Sequence, residues 1–248
     1  MLRVIKKSKI WFIFSGILTI AAICLLLTWG LQPGIDFRGG SLFELEFEKN
    51  FQQEELRQVL IDNGFRDVVV QPSSDKVTLV KTEPLSEEQI SKFKEVVTAK
   101  FGSYKEVRFD SVGPTVSREL VRRAYWQIGL VVLGILLYIA YAFRNTGKTV
   151  NNSGVTSWGM GIAAIIALVH DLLITVGVFV ILGKYRGVEI DSLFITALLT
   201  ILGFSVHDTI VVFDRIRENL QKYPYKQLET IIDYSIASTL ARSINTSS

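Results

Sequence analysis

Apolar positions along this chain gather into long blocks near its two ends and break into short alternating or helical patterns in between. Residues 10–29 and 125–143 carry no charge at all, and residues 158–183 carry a single acid, Asp171. A fourth block, residues 190–213, has Asp191 near its start and Asp208 inside it. A hydrocarbon core of ~30 Å is crossed by about 20 helical residues. The blocks therefore predict a multi-spanning α-helical membrane protein with four spans, at 10–30, 125–143, 158–183 and 190–214.

The intervening residues 31–124 read as one small α+β domain. Residues 36–48 alternate through Phe37, Leu42, Phe43, Leu45 and Phe47, the period of a strand, and residues 51–63 repeat at helical spacing through Leu56, Val59 and Leu60 until Gly64. Two short strands, 65–71 and 76–82, are separated by Pro72-Ser73-Ser74-Asp75, a turn by composition. A second helix over 85–101 starts at Ser86 with Glu88 and Gln89 behind it, and Ile90, Phe93, Val96 and Val97 form its apolar face. Residues 104–110 supply a last strand. The order β-α-β-β-α-β is that of a ferredoxin-like unit, two helices on one face of an antiparallel sheet. Gly113-Pro114 marks the return to the membrane through an amphipathic stretch at 117–123. Residues 215–220 continue the fourth helix, 223–238 form a further amphipathic segment, and Arg242 sits where another helix is expected to begin.

Charge sets the orientation. The net charge is only +3, and the basic residues flank the spans: Arg3, Lys6, Lys7 and Lys9 before the first, Arg144 and Lys148 after the second, Arg215, Arg217, Lys222 and Lys226 after the fourth. Cytoplasmic loops carry this excess. Residues 1–9, 144–157 and 215–248 are thus expected inside, with 31–124 and the loop 184–189 on the extracytoplasmic side of the cell membrane. No basic stripe points to nucleic acid.

Several chemistries are set aside by what the sequence lacks. One cysteine, Cys24, makes no disulfide framework. The first apolar run continues to Trp29 without a small-residue exit, and Ile23 precedes Cys24 where a lipoprotein site would want a small residue, so the segment is expected to stay in the membrane. There is no phosphate-binding Gly-rich loop and no Gly-x-Ser-x-Gly elbow. Two histidines, His170 and His207, are too few for a zinc site by themselves. Neither an enzyme nor a bound cofactor or metal is expected.

What remains is ionisable residues within apolar helices. A carboxylate at mid-membrane costs roughly 2.5–3.5 kcal/mol on an insertion scale, so it is expected to face a protein interior or a wet cavity. Asp208 is the leading candidate for a proton-binding group, with Ala197, Thr200 and Ser205 roughly on its side of the helix; Asp171 is a second. His207 and His170 read as hydrogen-bonding neighbours, and Arg215, Arg217 and Glu218 as a solvated inner face.

These residues also carry a family likeness. Gly34-Ile35-Asp36-Phe37-Arg38-Gly39-Gly40 resembles the G-x-D-[FL]-x-G-G element of the SecD/SecF export proteins. Val112-Gly113-Pro114 with Glu119-Leu120 is similar to that family's re-entry segment, Leu168-Val169-His170-Asp171 to its third span, and residues 203–219 around His207-Asp208 to its fourth. A single compact outer domain puts the likeness on the SecF side. The resemblance implies a proton-driven accessory of protein export working with SecD, the SecYEG channel, YajC and a translocating preprotein, in a membrane architecture like that of resistance-nodulation-division transporters. It implies that Asp208, and Arg242 at the start of a fifth span, handle the proton. Two departures stand out: the family has six spans where this chain is expected to stop after four, as a truncation would, and His207 stands where the family often has Asn. A small-molecule efflux subunit and a non-transducing scaffold of the channel are the alternative readings.

Overall fold

The computed structural model of the protein describes residues 4–48, 52–74, 76–143, 157–223 and 225–247. The chain divides into two compact units, residues 33–125 and the remainder.

In the first unit, α2 (Ile35–Arg38) leads into a sheet of β1 (Gly40–Phe47), β2 (Val69–Pro72), β3 (Val77–Thr82) and β4 (Tyr104–Val112), with α3 (Gln53–Asp62) and α4 (Glu87–Phe101) between strands. The sheet order is β2-β3-β1-β4, and each neighbouring pair is antiparallel. Alternation on β1 sends Phe43, Leu45 and Phe47 to one face, where they meet Leu56 and Leu60 of α3 and Phe93 and Val97 of α4. Phe43 and Phe93 stack with ring centroids 4.0 Å apart. The start of α4 is fixed by a reciprocal cap, in which Ser86 Oγ accepts from the Gln89 amide and the Gln89 side chain accepts from the Ser86 amide.

Two strands are shorter than their alternation suggests. Ile35–Arg38 is a helical turn, not the beginning of β1, because Gly39 (φ +78°) and Gly40 (φ +146°) reverse the chain between them. Residues 65–68 form no ladder, and Asp67 there takes a positive φ of 51°. Phe65 and Val68 are buried all the same, so their hydrophobicity serves the core from a loop. Of the expected turn, Asp75 lies outside the described residues, and Pro72 ends β2.

The second unit is built of helices: α1 (Ser8–Thr28), the latter part of α5 (Pro114–Phe143), α6 (Ser157–Arg186), α7 (Ser192–Lys222) and α8 (Leu228–Ser247). Four of them, α1, α5, α6 and α7, are long and apolar enough to cross a membrane. Pro114 opens α5, in the first turn where its missing N–H costs no intrahelical bond. Residues 144–156, where an inner loop is expected, lie outside the described residues. The segment expected to end at residue 238 continues as helix to Ser247. Arg242 therefore lies well inside α8 and does not open another helix.

Packing between α1 and α6 repeats every seven residues. Ser15 meets His170, a Cβ on Gly177 would stand 2.7 Å from the Cβ of Ala22, and the Lys184 ammonium lies 6.0 Å from the centre of the Trp29 ring. A seven-residue repeat between parallel helices is the geometry of a shallow, left-handed crossing, and a glycine on the seam brings the backbones close. On α8, Ile231, Ser235 and Thr239 are buried at helical spacing, and the first packs with Ile216 and Leu220 of α7. Between these helices Asn219, 3% exposed, donates from Nδ2 to Ser235 Oγ at 2.8 Å. The Ile5 amide, at the first turn of the chain, donates to Asp233 Oδ1 of α8 at 2.9 Å.

Candidate functional site: a polar chain across three helices

Asp171 lies at the middle of α6, about 20 Å from either end at 1.5 Å per residue. Successive residues on a helix point about 100° apart, which lets His170 turn toward α1 while Asp171 turns toward α7. Their facing atoms still touch. His170 Nδ1 is 2.9 Å from Asp171 Oδ1, His170 Nε2 is 2.6 Å from Ser15 Oγ of α1, and Ser205 Oγ of α7 donates to Asp171 Oδ2 at 2.6 Å. Four side chains from three helices thus make one hydrogen-bonded line inside the apolar region.

The donors can be ordered from chemistry. With an ionised carboxylate, which only accepts, Nδ1 carries the proton toward Asp171, and in the neutral ring Nε2 then accepts from the Ser15 hydroxyl. Helical hydroxyls nearby are satisfied locally: Thr19 Oγ1 donates to the Ser15 carbonyl and Thr175 Oγ1 to the Asp171 carbonyl, both at 2.9 Å. The side chains of His170 and Asp171 remain 28% and 44% exposed. A carboxylate is held at this depth only against water or other protein.

Serine, imidazole and carboxylate in this order also begin a hydrolytic triad. An oxyanion hole needs amide donors free to turn toward the reacting carbonyl. Ser15 sits within α1, where amides bond along the helix. The line is suited to holding and passing a proton.

Asp208 is half-buried on α7, one turn beyond Ser205, whereas its neighbour His207 is exposed. Toward the Lys222 end of α7 opens a cleft of about 610 Å³, lined in part by Tyr138, Tyr141, Asp214, Arg217, Thr239 and Arg242. Arg215 and Arg217 pair with Glu218 and Asp214 at 2.6 Å each, and Arg217 Nη1 reaches the Ala142 carbonyl at 3.5 Å. Arg242 thus joins the cluster that the sequence suggests is a solvated face, and Asp208 does not line the cleft. Ser15 was invisible to pattern reading, since one serine in an apolar helix looks like any other. Its partner lies 155 residues away.

Apolar helices of spanning length, a compact sheet domain and a hydrogen-bonded dyad at mid-helix define a polytopic membrane protein that carries ionisable groups within its spans. Comparison with known proteins narrows this. Residues 92–248 match the family described as "Protein export membrane protein SecD/SecF, C-terminal", and residues 25–50 match the SecD/SecF GG motif. The chain belongs to the SecD/SecF family. It is 41% identical to the protein translocase subunit SecF of Thermobaculum terrenum over its whole length and 79% of that relative's. It is 36% identical to the SecF of Anaerolinea thermophila, over 99% of this chain and 78% of the relative. Among solved structures it resembles SecDF, a translocon-associated membrane protein from Thermus thermophilus, with a TM-score of 0.79 and 31% identity over 96% of this chain. It spans 31% of that longer chain.

Proposed function

We propose that this chain is a SecF-type subunit of the protein-export machinery, using the proton gradient with SecD to help preproteins through the SecYEG channel, with YajC as an associated subunit. The observation that carries this is the full-length likeness to SecF and SecDF proteins, joined to ionisable residues held in apolar helices. Asp208 is the proton-binding group and Arg242 its cationic counterpart, with Asp171 contributing and His207 a minor neighbour. The arrangement acts as a transducer and not as an enzyme. The chain resides in the inner membrane with residues 31–124 on the extracytoplasmic side, a reading supported by the basic residues at 3–9 and 215–226. The sheet domain is of ferredoxin-like type, supported by its order β2-β3-β1-β4.

A proton crossing 100 mV releases about 2.3 kcal/mol, enough to bias a packing change of similar size. Replacing Asp208 with Asn removes the titrating group and keeps the shape. In vesicles carrying the chain with its partners, gradient-driven export is expected to fall about tenfold or more. Export at the normal rate would leave a scaffold role.

A further inference from the structure

We infer that His170 is a proton-carrying residue of this membrane unit, positioned by Ser15 and Asp171 and connected through Ser205 to the Asp208 turn of α7. The inference rests on the proton-coupled reading above and names a further limb of the same path. In the line Ser15–His170–Asp171–Ser205 each neighbouring pair is within hydrogen-bond distance, at 2.6, 2.9 and 2.6 Å. A structural contact between helices needs one hydrogen bond, whereas this line places an imidazole with both nitrogens engaged at the centre of α6. Imidazole is the one side chain that can take a proton on one nitrogen while the other is held by a carboxylate.

Uptake has a definite local consequence. A proton on Nε2 makes both ring nitrogens donors, so the Ser15 hydroxyl must turn from donor to acceptor, while Asp171 holds the imidazolium from Nδ1. The bond between α1 and α6 reverses direction. Onward, Ser205, Asp208 and Val211 follow at three-residue steps along α7, each turned about 60° from the last, and Val211 lines the cleft. That stripe of α7 therefore leads from the end of the line at Ser205 toward the opening. Few other charges bear on the ring: α1 has none between Ile10 and Thr28, α6 offers Asp171, and α7 offers His207 and Asp208 within a turn of Ser205.

Two measurements test this on the full chain reconstituted with its partners in lipid vesicles. The chain has two histidines, so ¹⁵N-histidine magnetic resonance gives two ring signatures, and the one missing from His170→Gln belongs to His170. On acidification that ring is expected to pass from one N–H to two, and Ser15→Ala is expected to move the pH at which this happens. Gradient-driven export is expected to drop about tenfold in His170→Gln, and its pH profile to shift in Ser15→Ala without loss of assembly. If the His170 ring keeps one proton from alkaline to acidic buffer, or Ser15→Ala leaves both pH profiles unmoved, the inference is wrong. His170→Gln exporting like the unmodified chain while Asp208→Asn is inactive would overturn it and spare the parent reading. Normal export by Asp208→Asn would defeat that reading and the relay with it.

Discussion

At the scale of single residues, Gly40 and Asn219 are each held by a specific neighbour. A Cβ on Gly40 would sit 2.7 Å from the Thr82 carbonyl oxygen, in a backbone conformation of φ +146° that side chains rarely adopt. The obstacle is main chain in the β1–β3 pairing, which cannot step aside. Gly40→Ala is expected to destabilise the sheet domain by about 2–3 kcal/mol, read as faster proteolysis or hydrogen exchange over residues 33–125 and not over α6. Asn219 is different in kind. Its amide is buried and Ser235 is its partner, so Ser235→Ala strands a buried donor at a cost of about 1–3 kcal/mol. Thermal unfolding in detergent would register that loss, and Asn219→Leu together with Ser235→Ala should recover part of it. The sequence marks Gly39-Gly40 as a motif but not its reason, because the reason is a carbonyl some forty residues away. It sets His207 beside Asp208 as a hydrogen-bonding neighbour, yet the first is exposed and the second half-buried; a helix turns about 100° per residue, and without the neighbouring helices periodicity does not show how far each of two adjacent residues is covered.

Among elements, those set by local chemistry were the easiest to read. The cap at Ser86 and Gln89, the inward alternation of Phe43, Leu45 and Phe47, and the apolar blocks that became α1, α5, α6 and α7 all follow from nearby residues. Strand ends were harder, since residues 65–68 have strand-like side chains but a core position in a loop. Helix seams were not legible at all. The α1–α6 seam depends on Gly177 lying against Ala22, with a would-be Cβ 2.7 Å from one carbon of that alanine and 3.0 Å from another. Gly177→Ala is expected to push the helices apart, cost about 1–3 kcal/mol and lengthen the Ser15–His170 bond. A lower unfolding temperature in detergent, with the His170 ring signature altered, would show this; an unchanged seam would mean that α1 slides freely on α6.

For the whole molecule, the element order was legible, while the contacts that join distant segments were not. Sheet order, the α1–α6 seam and the Ile5–Asp233 bond all link residues far apart in the chain, and periodicity carries no information about partners. Asp171 is the instructive case: its depth was plain from the apolar block around it, but its place in a line with Ser15, His170 and Ser205 required three helices at once. The same separation bears on how the protein is made. A ribosome adding ~5–20 residues each second delivers His170 roughly 8–30 s after Ser15. During that interval α1 must wait in the bilayer with its serine unmatched by α6, and it carries no charge between Ile10 and Thr28 that would hinder the wait. At the same rate Ser205 follows Asp171 by roughly 2–7 s, so the groups of the line are delivered in order from the first helix outward.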